Sequence, residues 1–151
     1  MIAFWNELLQ NRIFFSAAAA WFAAQVIKTL IHLWFHKEFV AERLVGSGGM
    51  PSSHSSTVCA LMTATGIEYG GASFEFAISG IFAIIVMYDA RGVRRETGIQ
   101  AKVLNEMMEI FSKMGKKMGV EDRLKEFVGH TPLQVVMGAL LGIAIAWCMY
   151  L

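Results

Sequence analysis

The stretch TPLQVVMGALLGIAIAWCMYL, Thr131 to Leu151, runs 21 residues without a charged side chain. At about 1.5 Å per residue, a helix of that length covers roughly 30 Å, the thickness of a bilayer's hydrocarbon layer. The segment also carries its own start signal. Thr131 offers a capping hydroxyl, Pro132 suits the first helical position, and Gln134 stands where a capping box takes its second member.

Composition agrees with a lipid environment. The chain has 151 residues, enough for one domain over 1–151. Charged residues make up 17%, against about 25% in an average soluble domain, and mean hydropathy is +0.50. Disordered, collagen-like and charged coiled-coil chains are excluded on these grounds. A net charge of +1 gives no general attraction for nucleic acid, and no basic face with interleaved aromatics accompanies it. Cys59 and Cys148 lie far apart in apolar runs, without disulfide or metal-ligand spacing. Met1–Gln10 has no positively charged side chain and includes Glu7, so an uncleaved N-terminal segment is expected rather than a signal peptide.

Three further apolar runs precede Thr131. Ile13–Phe35 is interrupted mainly by Gln25, Lys28 and His32 and is long enough to cross. Met1–Asn11, with Trp5, reads as an interfacial lead-in. Ser55–Tyr69 and Phe74–Tyr88, separated by Gly70-Gly71, form a helical hairpin only marginally long enough to span, so a re-entrant or protein-shielded hairpin competes with full crossing. Between Arg91 and Met118, Ile99, Val103, Met107, Ile110, Phe111, Met114 and Met118 recur mostly at three- and four-residue steps, predicting an amphipathic surface helix. Gly119 breaks it, and Glu121–Val128 makes a further short helical piece. The expected fold is therefore all-α, with about four membrane segments and one amphipathic surface helix.

Four crossings put the loop His36–Met50 and the segment Arg91–His130 on one side of the membrane. These stretches hold 11 of the 13 Lys and Arg residues, which makes that side cytoplasmic by the positive-inside rule. The polar residues that suggest chemistry lie at the same end. Ser47-Gly48-Gly49-Met50-Pro51-Ser52-Ser53-His54 enters an apolar helix with glycines that permit close approach, hydroxyls beside unpaired N–H groups, and an imidazole. The octet also serves as a plain Gly-rich turn with a Ser-capped helix. Arg91, Arg94 and Arg95 offer guanidinium forks for a phosphate, or equally a grip on anionic lipid that fixes topology. Lys28, an ammonium inside an apolar run, faces a polar partner or snorkels to the boundary. His130, just before the last cap, is a second imidazole or an ordinary interfacial histidine. Glu68 and Glu75 flank the hairpin turn as solvated charges.

Three blocks in order carry a resemblance: Gly48-Gly49-Met50-Pro51-Ser52-Ser53-His54-Ser55; Tyr88-Asp89-Ala90 with Gly92-Val93-Arg94-Arg95, Gly98, Gln100-Ala101 and Leu104-Asn105; and Gly129-His130-Thr131-Pro132. Between Gln25 and Gly142 the chain resembles the divergent branch of the type 2 phosphatidic acid phosphatase superfamily, the group described as acid phosphatase/vanadium-dependent haloperoxidase-related. The resemblance implies a helical membrane protein with a metal-free phosphatase site and no cofactor. His54 matches the general acid of the middle block, and Ser52 and Ser53 match its phosphate-contacting positions, Ser53 standing where the wider superfamily has Gly. Lys28 and Arg43 are the counterparts of the first block, more widely spaced and with Leu44 in place of Pro. The third block aligns in two ways. Arg94 has the right spacing to Gln100, which places Gln where a nucleophilic His belongs; alternatively His130 is the nucleophile and Gln134 occupies the place of the orienting Asp.

The expected function is a metal-independent phosphatase acting through a phosphohistidine on a phosphomonoester or diphosphate, a lipid phosphate being the favoured substrate. His54 and His130 would be catalytic, with Lys28, Arg43, Ser52, Ser53, Arg94 and Arg95 holding phosphate. Two alternatives stand beside it: a lipid-phosphate binding or translocating protein without hydrolysis, and a structural membrane subunit.

Overall fold

The computed structural model describes residues 1–37, 49–114, 124 and 129–151, leaving aside the side chains of 2, 36 and 93–95. These residues form six helices: α1 (Ile2–Gln10), α2 (Arg12–His36), α3 (Ser53–Tyr69), α4 (Phe74–Arg91), α5 (Val93–Lys113) and α6 (Pro132–Tyr150). Each break has a local cause. The Asn11 side chain accepts from Phe14 N at 2.9 Å and starts α2. Gly70, at φ 85°, ends α3 in a conformation that L side chains rarely adopt. Ser73 then caps α4 through Phe76 N at 3.1 Å. Gly92 alone separates α4 from α5, and it keeps helical dihedrals. At α6 the expected capping box forms, with Thr131 Oγ1 accepting from Gln134 N and Gln134 Oε1 accepting from Thr131 N.

α3 sits at the centre, packed against α2, α4 and α6. Among the described residues three helical stretches are long and apolar enough to cross a membrane: 12–35, 74–113 and 132–150. α3 is not one of them. Its 17 residues include Ser53, Ser55, Ser56, Thr57, Thr63 and Thr65, and it runs inside a shell of the other helices. The first arm of the hairpin is thus shielded from lipid by protein along most of its length. The bundle is inside out by soluble standards. Its largest fully buried side chains are Ser16, Ser52, Ser55 and Ser56, whereas Phe22, Leu30, Ile81, Ile85, Val136 and Leu140 face outward. Water would penalise that arrangement, whereas lipid accepts the large apolar groups and lets small ones bring backbones together.

The closest approach lies between α3 and α6. A Cβ placed on Gly138 would collide with the Ser52 carbonyl oxygen, and one on Gly142 with that of Ser56. These glycines, four residues apart on one face, are what permits it. On the α2 side Ser56 Oγ donates to Ala20 O at 3.0 Å, and Ala20, Ala60, Ala64 and Ala146 form one buried cluster. Cys59 is buried and Cys148 exposed; neither is in a disulfide.

Chain direction alternates from α2 through α3 and α4 to α6, so the bundle has two distinct ends. At one end Arg12 donates to Met149 O at 2.6 Å and lies 4.5 Å over the Tyr150 ring, whose hydroxyl donates to Glu68. Glu68, expected to be merely solvated, thus ties α3 to α6. The expected amphipathic helix begins at Val93, since Arg91 ends α4; α5 runs to Lys113, and Met118 of the expected stripe lies outside the described residues. Its buried face is Gly98, Ala101 and Asn105, while Ile99, Val103, Met107, Ile110 and Met114 are exposed. The loop residues 38–48 and the expected Glu121–Val128 helix, Leu124 apart, lie outside the described residues.

Candidate functional site

The other end gathers the C-terminal half of α2, the start of α3, the end of α4 and the start of α6. The serine-rich turn enters α3 here because Ser52 caps it, its Oγ accepting from Ser55 N at 3.3 Å. Ser52 and Ser53 are both buried. A buried helix start concentrates outward-pointing N–H groups and the positive end of the dipole, which suits an anion. Ser52 N–H is not part of that supply, since it donates to the Gln134 carbonyl of α6 at 3.0 Å.

His130 reaches the same place from the opposite direction. Its N–H donates to Ala90 O at 3.0 Å, which fastens the entrance of α6 to the end of α4. The ring is buried and stands edge-on to that of His54, with centroids 5.6 Å apart and planes at 62°. His130 Nδ1 lies 3.2 Å from Gln134 Oε1, the oxygen that also accepts from Thr131 N–H at 3.0 Å. A backbone N–H can only donate, so that atom of the amide is its oxygen and not its nitrogen. The Nδ1 of His130 must therefore be the protonated one, and in the neutral ring the lone pair belongs to Nε2.

Lys28 is 3% exposed and its Nζ donates to Gln25 Oε1 at 2.7 Å. Burial within the bundle, rather than snorkelling to the boundary, is what this side chain does. Its aliphatic stem lies against Gly49, where an added Cβ would come within 2.9 Å of Lys28 Cγ. Gly49 also has φ 82°, so the turn before Pro51 needs glycine twice over. Gln25, which reads in the sequence only as an interruption of an apolar run, is thereby the partner of the buried ammonium.

The structure therefore brings together Lys28, Ser52, Ser53, His54 and His130. Arg43 lies outside the described residues; Arg94 and Arg95 occupy the first turn of α5, with their side chains outside the description. Gln100, the other position proposed for the third block, is exposed on α5, whereas His130 sits against His54. Ser55 closes the first motif block, but the sequence assigns it no role. It is fully buried against Gly138, and its Oγ has no hydrogen-bond partner among the described residues. Its signal was the small-residue pattern shared by α3 and α6, legible only once those helices are known to touch. Among the described residues no group of three or more His, Cys, Asp or Glu is placed to hold a metal ion.

Fold and site define an all-helical integral membrane protein with two imidazoles, buried serines and a buried lysine at one end of its bundle. The chain belongs to the Divergent PAP2 family, which it matches over residues 9–145. It is 40% identical over 146 residues to the uncharacterized membrane protein YuiD of Bacillus subtilis (strain 168), covering 91% of this chain and 92% of that protein. No solved structure matches it.

Proposed function

We propose that the protein is a phosphatase for a phosphomonoester or diphosphate, with a lipid phosphate as the favoured substrate. The observation that carries this reading is the pairing of His54 with His130, 5.6 Å between ring centroids, at the end of the bundle that also holds Lys28 and the serine turn. His130 Nε2 attacks phosphorus, forming a P–N bond as the bond to the leaving oxygen breaks. His54 gives that oxygen its proton. Water then attacks the phosphohistidine, yielding a proton to His54, and the P–N electron pair returns to Nε2 as inorganic phosphate departs. Lys28, Arg43, Arg94 and Arg95, with Ser52 and Ser53, hold the phosphoryl oxygens as charge develops on them.

The test is phosphate release by the full chain in detergent or proteoliposomes, with phosphatidic acid and a prenyl diphosphate as substrates. His130→Ala should abolish release and the acid-labile phosphoryl label on the protein. His54→Ala should slow turnover by about 10²-fold or more, the usual range for a lost general acid. Unchanged turnover in either variant removes that residue's role. One observation favours a second reading. Gln134 is neutral where a carboxylate would better stabilise an imidazolium, which suits a lipid-phosphate binding or translocating protein. That protein would copurify with phospholipid and release no phosphate.

A further inference from the structure

Asn105 belongs to the second motif block, yet the proposed chemistry gives it no task. It is 3% exposed on the inner face of α5. Its Nδ2 donates to Leu124 O at 2.9 Å and its Oδ1 accepts from Leu124 N at 3.0 Å. One planar amide thus pairs with both backbone groups of a residue 19 positions away, as a neighbouring strand would. Among side chains only Asn and Gln carry a donor and an acceptor on one such plane. Leu124 is six residues before His130, a length of chain that spans at most about 20 Å. His130 N–H is held in turn by Ala90 O, three residues before the helix that carries Asn105.

The segment that delivers His130 is therefore tied at two points to one continuous piece of chain, the end of α4 and α5. We infer that Asn105 is a positioning residue for His130: by clamping Leu124, six residues upstream, it anchors the segment that delivers the imidazole and holds the ring against His54. This rests on the phosphatase reading for its kinetic consequence but not for its structural one. A nucleophile displaced by about 1 Å loses on the order of 10²-fold in rate while binding contacts made elsewhere survive. Loss of the clamp therefore acts on kcat and spares KM.

The experiment uses the full chain in detergent with Asn105→Asp, which keeps shape and acceptor but loses the donor, and Asn105→Ala, which loses both. Two quantities are read. One is the rate of diethyl pyrocarbonate modification at His130, measured by mass spectrometry against His32 in the same molecule. The other is the kinetics of phosphate release. His130 modification should rise at least about fivefold in both variants, and kcat should fall about 10- to 100-fold with KM within about twofold. Should Asn105→Ala fail to accumulate, Asn105→Asp carries both readouts. If His130 stays as protected as in the parent protein in every variant obtained, the clamp is overturned whatever the kinetics. If protection is lost but no form of the protein, parent included, releases phosphate, the clamp stands and the phosphatase reading falls.

Discussion

His130 takes its tautomer from a helix cap. The same Gln134 oxygen that closes the capping box of α6 accepts from His130 Nδ1–H, so a device for starting a helix also aims an imidazole. Economy of this kind has a chemical cost, because an amide orients the ring without stabilising its protonated form. Gln134→Glu keeps the capping box, since Glu is an equally good third-position partner, and adds a carboxylate beside the ring. In the phosphatase reading plateau kcat should rise about tenfold, within the range of acid–base effects. The acid limb of the pH profile should move to higher pH, because a ring that holds its proton more tightly must lose it before it can attack. A pH series of phosphate release on the two proteins checks both expectations. Lys28 shows the same reuse of scaffold: its stem packs on Gly49 while its ammonium is held by Gln25.

At the scale of elements, α3 is an apolar helix studded with serine and threonine, made acceptable by its neighbours. Its serines and threonines would be costly against lipid, but several turn their hydroxyls back to helix carbonyls, as Thr57 does to Ser53 O and Thr65 to Leu61 O. Glycines of α6 let that helix close the remaining side. Gly142→Ala should therefore destabilise the bundle by about 1–3 kcal/mol, the range for overpacking, although Ala is by itself the better helix former. Gly80→Ala on α4 is the matched control. Its added Cβ would meet only Met62 Sδ at 3.9 Å, an ordinary contact, so it should leave stability unchanged or raise it by up to about 1 kcal/mol. Thermal melting of the two variants in detergent separates close approach from helix propensity. α5 teaches a related lesson. Its apolar period is plain in the sequence, yet the face turned inward is the small one, Gly98, Ala101 and Asn105, and the apolar stripe faces outward.

For the molecule as a whole, the alternation of α2, α3, α4 and α6 puts the hairpin turn at Gly70–Ser73 at one end and the His54–His130 pair at the other. By the positive-inside rule, the Lys and Arg excess of the stretches around the histidine end leads us to propose that this end faces the cytoplasm. With Cys148→Ser as background, a cysteine at Ser73 should react with a membrane-impermeant maleimide from outside intact cells. One at Gly129 should react only after the membrane is opened. Labelling of both positions from the same side would break the four-segment topology, and with it the proposed gathering of the three motif blocks around one phosphate.

Much of the fold is legible one segment at a time, because a helix that must satisfy its own backbone in lipid announces itself by length, apolarity and caps. The run 131–151, the cap at Thr131, the hairpin punctuation and the shared end of the motif blocks all follow from local composition and from counting crossings. The shielding of α3, the approach of Gly138 and Gly142 to it, the Gln25–Lys28 pair, the tie from Glu68 to Tyr150 and the contact of His130 with His54 do not. Each depends on which faces of distant helices meet, and contacts between small or polar groups leave almost no periodic trace in a sequence. Tertiary packing alone decides them, since a serine or glycine acquires its meaning from the backbone that comes to lie against it.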